Sequence, residues 1–136
     1  RSVAWLEDGS ILYVTHPGRT IRRVPADVGE GRDVWSSDTL NASGLAPVPG
    51  SELVLFAGCA APCAVPALWA LDLKSGEATF VASDVRLAEP LPNGDLLLVS
   101  SLSQVASIAS FDRKAMTIGS ARRPVLDSVG TIGASA

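Results

Sequence analysis

A turn followed by a short apolar run occurs three times in this chain at nearly constant spacing, and this repetition constrains the fold more than any other feature. The turn glycines are Gly9, Gly50 and Gly94, and apolar runs follow them at 11–14, 53–56 and 96–99. Successive glycines are therefore 41 and 44 residues apart. A repeat of about 40–45 residues built from short strands is the period of a β-propeller blade.

Each repeat contains three further strand-like runs. They are 3–6, 45–48 and 89–92 before the turn, then 20–24, 67–71 and 107–111, and finally 33–35, 78–81 and 124–126. The 12 glycines and 9 prolines interrupt the chain too often for long helices. A β-sandwich would also use short strands, but it would not repeat the same order of turns three times. The pattern predicts an all-β chain of three blades, each of four antiparallel strands, at about 1–38, 39–84 and 85–128.

The composition narrows the class of partner. Hydrophobic residues make up 47% of the chain, which excludes a disordered protein. The net charge of −3 argues against a nucleic-acid surface. No apolar run approaches the roughly 20 residues that cross a bilayer, so no membrane insertion is expected. The chain begins at Arg1 and is interpreted as a mature fragment or excised piece, which leaves its location unknown.

Two segments carry a resemblance to a known class of propeller. Residues 4–14 (AWLEDGSILYV) and 68–76 (LWALDLKSG) resemble the blade openings and third-strand endings of TolB-like, WD-repeat-like propellers. In particular, they resemble the propeller regions fused to bacterial serine/threonine protein kinases. The third repeat departs from the pattern, because its segment 111–116 (FDRKAM) has Met116 at the position where the turn glycine is expected. The resemblance implies a binding or sensor scaffold, and a place in the extracytoplasmic part of a bacterial membrane kinase, although the chain itself contains no kinase motif.

Three blades are too few for a complete propeller, because propellers close with about four to eight blades. An open arc would expose blade faces and unpaired strand edges. Two copies would supply six blades, so we predict a homodimer that closes one six-bladed ring. Residues 129–136 are then expected to form an extra inner strand or clasp. The alternative is a fragment of a longer closed propeller.

Functional side chains are expected where the loops meet at the mouth of the central channel. The polar candidates there are His16, Arg19, Asp38, Asn41, Arg86 and Glu89. The candidate catalytic residues are His16, Glu89 and Asp38, because imidazole and carboxylate groups act as general bases. The candidate metal ligands are Glu89, Asn41 and His16, because oxygen-rich sites suit a hard cation such as calcium. The simpler interpretations are an exposed turn histidine and a rim carboxylate paired with Arg86 or water.

Two functions remain open at this stage. The first is a non-catalytic scaffold that binds a small molecule or peptide at the channel mouth and needs no cofactor. The second is a hydrolase of esters, lactones or phosphotriesters, similar to six-bladed paraoxonase and lactonase propellers with a channel calcium. The chain lacks most of the acidic and asparagine ligands of those enzymes, and no serine-nucleophile or phosphate-loop motif occurs in it.

The two cysteines, Cys59 and Cys63, belong to one loop of the middle repeat. Together with His16, the only histidine, they are too few for a structural zinc site within one copy. We expect a structural or spectator role, with a loop-closing disulfide as an option outside the cytoplasm.

Overall fold

The computed structural model describes residues 3–27, 29–60 and 64–126, and these form fourteen strands and no helix. The first sheet contains β1 (Val3–Trp5), β2 (Ile11–Thr15), β3 (Thr20–Val24) and β4 (Arg32–Ser36). The second contains β5 (Leu40–Pro47), β6 (Leu53–Ala60), β7 (Ala67–Asp72) and β8 (Ala78–Ala82). The third contains β9 (Leu87–Pro90), β10 (Leu96–Val99), β11 (Ala106–Ala109) and β14 (Arg123–Leu126). A short hairpin of β12 (Phe111–Asp112) and β13 (Thr117–Ile118) stands between β11 and β14.

Each sheet is an antiparallel meander of four strands in chain order, except that the β12–β13 hairpin precedes the last strand of the third sheet. We call the sheets the first, middle and third blades. Most of the predicted strand runs coincide with these strands to within one residue at each end. The run predicted at 89–92 lies two residues C-terminal to β9, and β6 extends four residues past the run predicted at 53–56. β5 begins at Leu40, five residues before the predicted run, and β11 ends at Ala109, where the prediction continued to 111. The chain leaves the sheet after Ala109 because the β12–β13 hairpin begins there.

The turns between the first and second strands of each blade depend on glycine. Gly9, Gly50 and Gly94 have φ values of 88°, 70° and 93°, a conformation that costs other L-residues free energy. In the first turn the Asp8 carboxylate accepts the amide of Ser10 at 2.9 Å. In the third turn, the Asn93 side chain accepts the amide of Asp95 at 3.0 Å.

The turn after the third strand is conserved in shape between the middle and third blades, although its sequence changes. The Asp72 carboxylate accepts the amide of Lys74 at 2.8 Å, and the Asp112 carboxylate accepts the amide of Lys114 at 2.9 Å. Gly76 closes the first of these turns at φ 77°, and Met116 closes the second at φ 58°. Met116 therefore occupies the left-handed position that the missing glycine was expected to fill.

Two apolar cores lie between successive blades. The first joins Leu12 and Ile21 of the first blade to Val54, Phe56 and Leu71 of the middle blade. The second joins Leu55, Leu68 and Ala70 of the middle blade to Leu96 and Leu98 of the third. The innermost strands follow one another in space, since β1 contacts β5 and β5 contacts β9. Side chains of the middle blade alternate between the two cores, as the two-residue period of a strand requires.

The clasp predicted for residues 129–136 lies outside the described residues. None of the described segments contains a helix long and apolar enough to span a membrane.

Candidate functional site

Five loops meet at one end of the blades, and we call this end the upper rim. They are residues 16–19, 37–39, 64–66, 83–86 and 100–105. They lie at the same end because successive strands of a meander alternate in direction. The sequence-predicted residues His16, Arg19, Asp38 and Arg86 all fall in these loops, and Asn41 and Glu89 fall in the inner strands just below them.

The first and middle blades bring two of the predicted residues together. Arg19 Nε donates a hydrogen bond to Asn41 Oδ1 at 3.3 Å. The backbone holds this pair in place, because the amide of Ala42 donates to the Gly18 carbonyl at 2.7 Å and the amide of Ser37 donates to the Arg19 carbonyl at 2.9 Å. His16 and Asp38 are exposed in the neighbouring loops. This part of the rim therefore presents a fixed guanidinium–amide pair beside an exposed imidazole and an exposed carboxylate.

Asp84, which the sequence analysis did not single out, organises the rim between the middle and third blades. Its carboxylate accepts the Ser100 hydroxyl at 2.5 Å and the amides of Ser101 and Leu102, both at 2.9 Å. Burial raises the pKa of the Asp84 carboxyl, but these hydrogen bonds outweigh burial and hold the pKa below its ordinary value. Asp84 itself has φ 55°. The ionised carboxylate thus ties the 100–105 loop to the preceding blade.

The remaining predicted residues stand on the third blade. Arg86 Nη2 donates to Gln104 Oε1 at 3.4 Å. Glu89 is half-buried on β9 and pairs in register with Leu97 of β10. Its neighbour Ala88 packs against the middle blade, so Glu89 faces the opposite side of the third blade.

The predicted metal ligands come from separate places in the fold: His16 from a first-blade loop, Asn41 from β5 and Glu89 from β9. Across the described ranges, no three His, Cys, Asp or Glu side chains cluster closely enough to hold a metal ion. The catalytic and metal assignments of His16, Asp38, Asn41 and Glu89 stay predictions. Cys59 is disulfide-bonded, while Cys63 lies outside the described residues.

The opposite end of the blades, the lower end, carries a polar network that the sequence analysis also missed. Arg23 Nη2 forms an ion pair with Asp8 Oδ2 at 2.8 Å. Hydrogen bonds from Ser10 lower the pKa of Asp8 to about 2, and Arg23 adds to the effect. Glu7 accepts the amide of Gly50 across the blade boundary at 2.6 Å. A cavity of about 330 Å³ opens beside these residues between the first and middle blades.

Comparison with known family models and with curated protein sequences finds no match. Solved structures with the same fold are found at low sequence identity. A luciferin-regenerating enzyme matches 96% of this chain with a TM-score of 0.66 at 12% identity. A chain of the nidogen–laminin complex matches 87% with a TM-score of 0.63 at 17% identity, and a puromycin hydrolase matches 92% with a TM-score of 0.64 at 16% identity.

These likenesses establish the class of protein: the chain has the β-propeller fold, built from four-stranded antiparallel blades. The chain spans 47%, 44% and 21% of the lengths of those three proteins, which is about half or less of each matched chain. The names of the matched proteins include two enzymes and the nidogen–laminin complex. Identities this low show the fold and do not select among such functions.

Proposed function

We propose that the chain is half of a six-bladed propeller ring and that two copies pair to close it. The ring is a scaffold that binds a small molecule or peptide at its upper rim. One observation carries this proposal. Val3 and Trp5 on the innermost strand of the first blade are 51% and 70% exposed. Ala4 between them is buried against the middle blade, so Val3 and Trp5 point the other way.

The exposed residues belong to an apolar patch on the inner part of this face, whereas Arg22, which pairs with Tyr13 in register, adds a charged side chain further out. Val3 pairs with Tyr13, Trp5 with Ile11, and Ile11 with Val24, and residues paired in register lie on the same face of a sheet. We call these five residues the open face. A large apolar face on a soluble domain is typical of an interaction surface.

The middle blade indicates what should cover the open face. Its face toward the first blade includes Val54, Phe56 and Leu71, which are at most 1% exposed because the first blade packs on them. The natural cover for the open face is therefore another blade. A second copy would supply three blades, and three plus three falls within the four to eight that close a propeller. The two-fold pairing of identical chains would cover both ends of the arc at once.

The upper rim has the mixed character of a binding surface. Leu102 is 72% exposed and Val65 is 38% exposed in its loops. The Arg19–Asn41 and Arg86–Gln104 contacts supply fixed polar groups nearby. Exposed apolar side chains among ordered polar groups suit recognition of a peptide or small molecule. In a paired ring each of these features would occur twice.

The test is the mass of the particle in solution. Light scattering at micromolar concentration should give twice the chain mass of 14.0 kDa. A Trp5→Glu variant should dissociate, because it places a charge in the proposed contact. Leu102→Glu is the matched control, since Leu102 is equally exposed but stands on the rim, and it should keep the dimer mass. A folded wild-type monomer at these concentrations would overturn the pairing.

The competing hydrolase hypothesis is tested on the same material. Ester, lactone and phosphotriester substrates are offered with and without a chelator, and with a Glu89→Gln variant. If the wild type turns over a substrate, and both the chelator and the Glu89→Gln variant abolish that turnover, the hydrolase hypothesis is supported over the scaffold hypothesis. The same result would support Glu89 as a calcium ligand.

A further inference from the structure

A small groove lies between the middle and third blades at the lower end, away from the upper rim. Its volume is about 210 Å³, and it is lined chiefly by Val48, Pro49, Pro90, Pro92, Phe111 and Arg113. Val48 forms part of the buried core, and Phe111 is half-buried. The walls are thus apolar and rigid, because proline rings have few conformations. Arg113 is the only charged residue of this lining.

Arg113 differs in residue type from the residue at the equivalent position of the middle blade. The turns at Asp72 and Asp112 have matching hydrogen bonds, so the residue after each aspartate occupies the same position in its blade. In the middle blade that residue is Leu73, which is 8% exposed and packs in the core. In the third blade it is the exposed Arg113. A packing leucine is replaced by a cation at the edge of an apolar groove.

The guanidinium of Arg113 is available to a ligand. Within the described ranges, Arg113 has no ion pair, whereas Arg22 and Arg23 contact Asp33 and Asp8. The neighbouring carboxylate of Asp112 accepts the amides of Lys114 and Ala115 in its own turn. An arginine side chain carries five donors in a planar fork that fits a carboxylate.

We propose that this groove, the Arg113 groove, binds a small aromatic carboxylate. An apolar cavity of about 150 Å³ holds benzene, so the slightly larger groove fits one ring with a short acidic arm. The ring would lie among the prolines and against Phe111, where aromatic rings gain offset or edge contacts. The carboxylate would take charge-assisted hydrogen bonds from Arg113. The groove belongs to a single chain, so this proposal does not depend on ring closure.

Ligand-observed NMR with phenylacetate tests the proposal, since affinities for so small a ligand should be roughly millimolar. The probe is compared with phenylacetamide, which has the same ring and no charge. Phenylacetate should bind about tenfold more tightly than the amide, the effect of a charge-assisted contact. An Arg113→Leu variant, which restores the residue type of the middle blade, should make the two affinities equal.

Lys114→Leu is the matched control, because Lys114 is the adjacent exposed cation and does not line the groove. This variant should keep the preference for phenylacetate. If Arg113→Leu does not fold by circular dichroism, Arg113→Gln gives the same comparison with a polar side chain. Equal binding of the two probes to the wild type would overturn the proposal, and so would an equal loss in the Lys114→Leu variant, since that would indicate general surface attraction.

Discussion

Gly58 on β6 offers the sharpest test of how tightly the middle blade is packed. A Cβ atom at this position would lie 2.7 Å from Cδ1 and 2.9 Å from Nε1 of Trp69, and 3.3 Å from a ring carbon of Phe56. Trp69 cannot easily withdraw, because its ring meets Phe80 edge-on with centroids 5.7 Å apart. A methyl group therefore cannot enter without displacing an aromatic side chain.

The expected cost of Gly58→Ala follows from two opposed effects. Overpacking a well-filled core costs about 1–3 kcal/mol. Replacing glycine by alanine lowers the conformational entropy of the unfolded chain, which stabilises the folded state by about 0.4–1 kcal/mol. The net loss in the free energy of unfolding should be about 1–2 kcal/mol. Urea denaturation at one fixed protein concentration measures it, because the stability of an assembled protein depends on concentration.

A double-mutant cycle separates the Trp69 clash from any other effect. In a Trp69→Leu background the indole is gone and the shorter side chain can rotate away, so Gly58→Ala should cost much less than in the wild type. The coupling should exceed about 0.5 kcal/mol, the lower bound for residues in contact. An equal cost in both backgrounds, or a gain of stability in the wild type, would refute the packing argument.

Three further predictions concern turns, charge and the cysteines. Gly76→Ala should lower the free energy of unfolding by about 1–2 kcal/mol in urea titrations, because φ is 77° there and an added Cβ would lie 3.3 Å from the Val34 carbonyl. In the wild type the lowered pKa of the Asp84 carboxyl stabilises the fold at pH values above 3.8, the ordinary pKa of the group, and this stability is lost as the pH falls through the lowered pKa. Asp84→Asn removes this carboxyl, so the melting temperature of the variant should fall less steeply below about pH 4 than that of the wild type. Changing Cys59 and Cys63 to serine should leave the particle mass in light scattering unchanged, and dissociation would show that their loop contacts the partner.

The strands and turns of the fold could be predicted from the sequence because each is determined by residues that are adjacent along the chain. A glycine marks each turn between the first two strands of a blade, with an aspartate or asparagine beside it at Gly9 and Gly94 and a proline beside it at Gly50, and the apolar run after it defines a strand. The turn at Met116 shows the limit of such rules. The sequence has no glycine there, yet the backbone keeps φ 58° because Asp112 accepts the amides of Lys114 and Ala115 and holds the turn.

The parts that the sequence analysis missed depend on contacts between distant residues. The Glu7–Gly50 hydrogen bond joins residues 43 positions apart, and the Asp84–Ser100 bond joins residues 16 positions apart. No periodicity marks either pair. Arg113 could have been found, since aligning the third repeat on the middle one places it opposite Leu73. The signal in the sequence is the change from an apolar residue to a cation at the same position of the repeat.

The open face differs from the outer face expected of a terminal repeat that is exposed to water. An end repeat that is meant to face water needs a polar outer surface. The first blade instead carries Val3, Trp5 and Ile11 on its outer face, so its two innermost strands, β1 and β2, have apolar side chains on both sides. Arg22 of β3 lies on the same face beside Tyr13. This arrangement supports the proposal that another blade covers the first blade. A charge introduced at Trp5 should therefore disrupt assembly, whereas the same charge at Leu102, which is equally exposed, should leave it intact.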